Sequence, residues 1–288
     1  MTKVEFIVDD GAIVTLVWDF NLLPIQDFAW VDGLAIEEIV FVGTATAHLS
    51  LALPPLNRLS CSNIGITELD LSNVSGLASL ECDDNRLAEL VLSNVPALVE
   101  LSCGGNQLTE LDLSNVPALS SLVCRNNQLT ALDLSKTPAL TCLHCNNNEL
   151  GELDLSNVPA LFGLYCDSSQ LANLDLSHVP ALVELWCGDN GLSELDLSST
   201  PALTRLSCGA NQLTNLDLSN VPALVELCCD SNQLAELDLS NVPALTVLVC
   251  CSNQLTELDI RLQGKLAYLN HDPSVKLKKL PTQNPKND

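Results

Sequence analysis

The chain has 288 residues, 47% of them hydrophobic but only 3% aromatic, so its core has to be built from aliphatic side chains. A formal charge of −24 opposes the phosphates of nucleic acid and argues against direct nucleic-acid binding. No run of about 18 apolar residues is present, so no transmembrane helix is expected.

Residues 1–10 hold no extended apolar region and are broken early by acids, so they do not read as a secretory signal. The expected location is therefore cytoplasmic, with a secreted or cell-surface location as the alternative. Residues 1–55 do not repeat, and they carry six of the ten aromatics: Phe6, Trp18, Phe20, Phe28, Trp30 and Phe41. Two apolar runs, at residues 6–8 and 13–18, flank Asp9-Asp10-Gly11 and predict a hairpin. A further strand is expected over residues 38–42. The segment reads as a β-rich cap over the open core edge of the unit that follows.

From residue 56 the chain repeats. Ten cysteines stand 21 residues apart, from Cys61 to Cys250. Around each, leucine stands five and two residues before, and a branched aliphatic five, eight and ten residues after, in all ten units. One unit cannot bury so many aliphatics alone, whereas stacked units align each column into a continuous core. The triplet leading into each cysteine alternates, which predicts a short strand in every unit and a parallel sheet with strands ~4.8 Å apart. Leu-Asp-Leu alternates likewise and predicts a second short extended edge. Proline in eight of the ten units, as at Pro96 and Pro117, argues against helix there.

Two polar columns accompany the apolar ones. Asparagine stands three residues after the cysteine in eight units, with Ile64 and Ser169 as exceptions, and predicts a side-chain ladder satisfying backbone groups. Aspartate occupies the centre of Leu-Asp-Leu in nine units, with Val91 the exception, and glutamate precedes it by two in seven. Like charges ~5 Å apart need hydrogen bonds, screening or a bridging cation. Hydrogen bonding to neighbouring turns is the favoured reading, and calcium is the alternative.

The pattern Leu-x-x-Leu-x-Cys-x-x-Asn-x-Leu resembles the leucine-rich-repeat family. The longer Leu-x-Cys-x-x-Asn-Gln-Leu-Thr-x-Leu-Asp-Leu-Ser resembles the bacterial 21-residue class with a cysteine ladder, as in internalin-type proteins. The resemblance covers residues 56–272. It implies a right-handed, arc-shaped, β-rich solenoid with little helix, whose parallel sheet lines a concave, ligand-binding face, and it implies protein recognition. The chain then ends in residues 273–288. Leu266 and Leu269 continue two columns into a partial eleventh unit, with His271 at the cysteine position. Lys276, Lys278 and Lys279 follow as a charged cap, and residues 281–288 are expected to fray.

The ten column cysteines point inward by alternation and read as reduced, buried thiols. Cys142, Cys228 and Cys251 fall at outward offsets, which suits a reducing compartment. A single-file column of cysteines cannot supply a tetrahedral ligand set, so zinc is not expected, and no catalytic constellation or cofactor motif is found. The outward offsets define the expected partner-binding face. They expose Arg125, Asp167, Glu184, Arg205, Glu226 and Asp230, and set His144, Tyr165 and Trp186 side by side in mid-sheet. Such aromatics dominate binding hot spots. The expectation is a non-catalytic scaffold, monomeric, gripping a protein with a basic surface, with an immunity protein against a toxin as its specific form. The alternative is a surface adhesin or a host-directed effector.

Overall fold

The computed structural model describes residues 4–9, 12–19, 36–43, 48–50 and 56–286. Phe20, Phe28, Trp30 and the expected turn at Asp10-Gly11 lie outside the described residues. The chain divides into two compact units, Met1–Leu140 and Thr141–Asp288. Each is a parallel β-solenoid, and no helix occurs among the described residues.

The first unit begins with the expected hairpin, β1 (Val4–Asp9) antiparallel to β2 (Ala12–Asp19). From there the sheet is parallel. It runs through β3 (Glu38–Val42), β5 (Arg58–Ser60), β7 (Ser79–Glu81), β8 (Glu100–Ser102) and β9 (Ser121–Val123). Strand β3 pairs with β5 so that Ile39 faces Leu59. The same register puts Phe41 level with Cys61, and Trp18 pairs with Phe41. Ile36, Ile39 and Phe41 are buried as Leu56, Leu59 and Cys61 are. The apolar columns therefore run further toward the N-terminus than the cysteines do, in residues that no longer spell the repeat.

The second unit stacks β10 (Cys142–His144), β11 (Gly163–Tyr165), β12 (Glu184–Trp186), β13 (Arg205–Ser207), β14 (Glu226–Cys228), β15 (Val247–Val249) and β17 (Tyr268–Asn270). The strands are three residues long because only the leucine between two outward side chains needs to face the core before the chain turns. All ten column cysteines and the leucines around them are buried.

The expected second edge forms only at the ends. Strand β4 (His48–Ser50) pairs with β6 (Glu68–Asp70), and β16 (Glu257–Asp259) pairs with β18 (Lys276–Lys278). In the units between, the central aspartate folds back on its own turn. Asp112 Oδ1 accepts the N–H of Ser114 at 2.9 Å, and Asp133, Asp154, Asp175, Asp196, Asp217 and Asp238 do the same with the serine two residues on. The expected bonds to neighbouring turns are thus replaced by bonds within each turn.

The asparagine column does bridge neighbouring units. Asn106 Nδ2 donates to the carbonyls of Cys82 and Cys103, each at 3.0 Å, while its Oδ1 accepts Leu87 N–H. Ser169 keeps part of this role: its buried hydroxyl reaches Cys145 O at 3.1 Å. One residue before the ladder the backbone turns left-handed, at φ 54° for Asn126 and 55° for Asn147, a conformation that Asn adopts more readily than most residues.

Residues 281–286, expected to fray, carry hydrogen bonds to the preceding units. Lys286 N donates to Ala267 O, Leu269 N donates to Lys286 O, and Gln283 Nε2 reaches Ile260 O at 2.7 Å.

Candidate protein-interaction face

Register builds the site. Parallel pairing sets His144 against Tyr165 and Tyr165 against Trp186, with Ser207 and Cys228 next in the same row. The three rings stack along the sheet. His144 and Tyr165 lie with centroids 4.0 Å apart and planes 5° from parallel. Tyr165 and Trp186 follow at 6.0 Å and 29°. Trp186, at the end of the stack, remains 41% exposed.

The row beside the rings holds Cys142, Gly163, Glu184, Arg205 and Glu226. Gly163 lets the Tyr165 ring lean across it: a Cβ there would sit 3.3 Å from Tyr165 Cε2. The leaning ring brings its hydroxyl to Glu184, to which it donates. Arg205 Nη1 holds the other Glu184 oxygen at 2.5 Å and its Nε lies 3.5 Å from Glu226. Burial, then the bond to Glu184, pushes the Tyr165 phenol up to about 12. The Tyr165 hydroxyl, with Arg205, holds the Glu184 carboxyl below the usual carboxylate range. The network ties the ring and the charges to one another.

Other expected residues fall differently. Asp167 is half-buried and its Oδ1 accepts Gly188 N–H at 2.7 Å, so its carboxylate serves the backbone more than the surface. Burial pushes its carboxyl up, against the lowering by that bond. Asp230 leans over Gly209, where an added Cβ would meet Asp230 Oδ1 at 2.8 Å. Arg125 belongs to the first unit and is exposed, its stem over Gly104. There Asp83 turns inward, accepting Gly104 N–H and the Ser102 hydroxyl, each at 2.8 Å. Cys142 lies toward Gly163, with its thiol pushed up by burial and by Glu184. Among the described residues no three His, Cys, Asp or Glu side chains gather as metal ligands.

Phe162 escapes the outward offsets used to predict the face. It is 51% exposed, three residues before Tyr165. From Ala78 on, its column otherwise holds small or β-branched side chains, such as Thr141 and Val183, so a lone aromatic there was the available signal. Gly163 broke its own column in the same way.

Fold and cysteine column together define a leucine-rich-repeat solenoid of the 21-residue cysteine-ladder class. No family model and no curated protein matches the chain. Among solved structures it is similar to the functional domain of InlJ from Listeria monocytogenes, which includes a cysteine ladder. The TM-score is 0.67 at 27% identity, covering 92% of this chain and 69% of that one. It is similar to YopM, a leucine-rich effector protein from Yersinia pestis, with TM-score 0.68, 27% identity, and 87% and 82% of the two chains covered. The internalin InlF from Listeria monocytogenes gives TM-score 0.73 over 94% and 87% of the chains, and at 21% identity it shows the shared fold alone. Neighbours of this kind suggest a protein–protein interaction scaffold.

Proposed function

We propose that the protein is a non-catalytic recognition scaffold that binds a protein partner on the outward sheet face of its second unit. The observation that carries this reading is the stack His144–Tyr165–Trp186, held in place by Glu184 and Arg205 and ending in a Trp186 that is 41% exposed. A rigid aromatic patch loses little side-chain entropy on binding and buries much apolar area. The acids around it and the −24 charge select a basic partner. An inhibitor that neutralises a basic toxin such as a nuclease is the finer form of this reading. A reducing compartment suits the thirteen free cysteines, three of which face outward. A second reading, a surface adhesin or a delivered effector, is favoured by the likeness to InlJ and YopM.

The test is affinity capture from the source cells with wild type and with a Tyr165→Ala/Trp186→Ala double variant of matched melting temperature. A partner held by wild type and released by the variant supports the reading. One retained equally by both removes it.

A further inference from the structure

We propose that this face holds a slot for one arginine side chain of the partner, above Ser207 and against the free face of Trp186. The inference rests on the reading of the face as the binding surface.

The aromatic row stops one ring short. His144, Tyr165 and Trp186 occupy equivalent positions on β10, β11 and β12, and the next two strands supply Ser207 and Cys228. The rings stand face to face along the sheet, so one indole face meets Tyr165 and the other is turned toward Ser207. Strands lie ~4.8 Å apart, so the backbones bearing Trp186 and Cys228 are roughly 10 Å apart. The small serine between them leaves room for one planar group in van der Waals contact with both sides. Just past the ends of the same two strands stand Gly188 and Gly209, which add no side chains of their own and are overlain by the carboxylates of Asp167 and Asp230. A side chain at Gly209 would collide with the Asp230 carboxylate, and one at Gly188 would lie 3.1 Å from Gly209 O.

Charge decides what fills the slot. On one side lie Glu184, Arg205 and Glu226, two carboxylates sharing one guanidinium and so one negative charge in excess. On the other side stands Asp230. A guanidinium can stack flat on indole and donate in its own plane to carboxylates at the slot's edges. A lysine ammonium meets the charge but not the planar space. An aromatic ring fills the space but leaves the carboxylates unused.

The test uses the full chain and NMR of the Trp186 indole N–H, assigned by its loss in Trp186→Phe. The probes are N-acetyl-arginine amide, N-acetyl-lysine amide and N-acetyl-tyrosine amide. The arginine probe is expected to shift the signal at concentrations at least about threefold lower than the lysine probe, with no response to tyrosine. Ser207→Phe, which fills the slot from within, abolishes the shift. Glu226→Gln, nearly isosteric, weakens it and keeps the proposal testable should Ser207→Phe fold poorly. Equal response to lysine, response to tyrosine alone, or an arginine shift that survives Ser207→Phe would overturn the slot. Capture separates the two readings. A partner lost by Trp186→Ala but kept with unchanged affinity by Ser207→Phe defeats the slot and leaves the scaffold. An arginine shift with a partner indifferent to Trp186→Ala defeats the scaffold.

Discussion

The hydroxyl of Tyr165 donates to a carboxylate oxygen of Glu184 on the next strand, and this bond is the largest influence lowering the Glu184 pKa. Removing the donor while keeping the ring is therefore informative. In Tyr165→Phe the Glu184 carboxyl should titrate closer to the 4.5 of a free glutamate, still held down by Arg205. Carbon-detected NMR titration of the side-chain carboxyl measures this. A Glu184 midpoint that does not rise would mean the bond is not formed in solution.

The asparagine ladder should dominate local stability. Asn106→Ala leaves the carbonyls of Cys82 and Cys103 and the N–H of Leu87 without the partner they now have. Orphaning buried polar groups of this kind should cost about 3 kcal/mol, seen as a lowered urea midpoint. Asn106→Ser should cost roughly half as much, since Ser169 shows a serine hydroxyl filling the column.

Acid should loosen the solenoid through the aspartate column. Hydrogen bonds from the serine two residues on hold Asp112, Asp133, Asp175, Asp196 and Asp217 below the 3.8 of a free aspartate. Arg261 takes Asp259 down to about 2. A carboxyl depressed in the folded state stabilises it above the unfolded pKa, and that contribution is lost as pH falls through the folded value. Melting temperature should thus decline below about pH 4. Asp→Asn at Asp196 and Asp217 keeps an acceptor that does not titrate, and should flatten that decline. An unchanged acid limb would contradict this account.

The thiols should fall into two populations. Burial pushes Cys208 and Cys250 up to about 12, and drives the other buried column thiols for which a shift is resolved the same way. Cys142, Cys228 and Cys251 are half-buried on the outward face. A mild thiol reagent near pH 8 should therefore label no more than those three in the native protein, and all thirteen in denaturant. Faster labelling of column cysteines would show the stack opening.

Columns that repeat at a fixed period were readable because every unit solves the same burial problem. That made the apolar columns, the strands before each cysteine, the inward and outward cysteines and the aromatic row visible in the letters. The N-terminal extension of the columns was hidden, because Ile36, Ile39 and Phe41 do the same packing in different residues. The aspartate column was misread for another reason. A short carboxylate reaches its own turn's N–H more easily than the next unit, and spacing alone does not rank the two. The lean of Tyr165 over Gly163 is likewise a rotamer choice, set by the missing side chain at one position rather than by the register.

The central claim is that the Tyr165–Trp186 face grips a protein partner. Its most direct measurement is the affinity of the partner recovered by wild type for Tyr165→Ala/Trp186→Ala, in a variant whose melting curve matches wild type. The account predicts a loss of at least about 2 kcal/mol, some thirtyfold in Kd. An unchanged Kd in the folded double variant would contradict it.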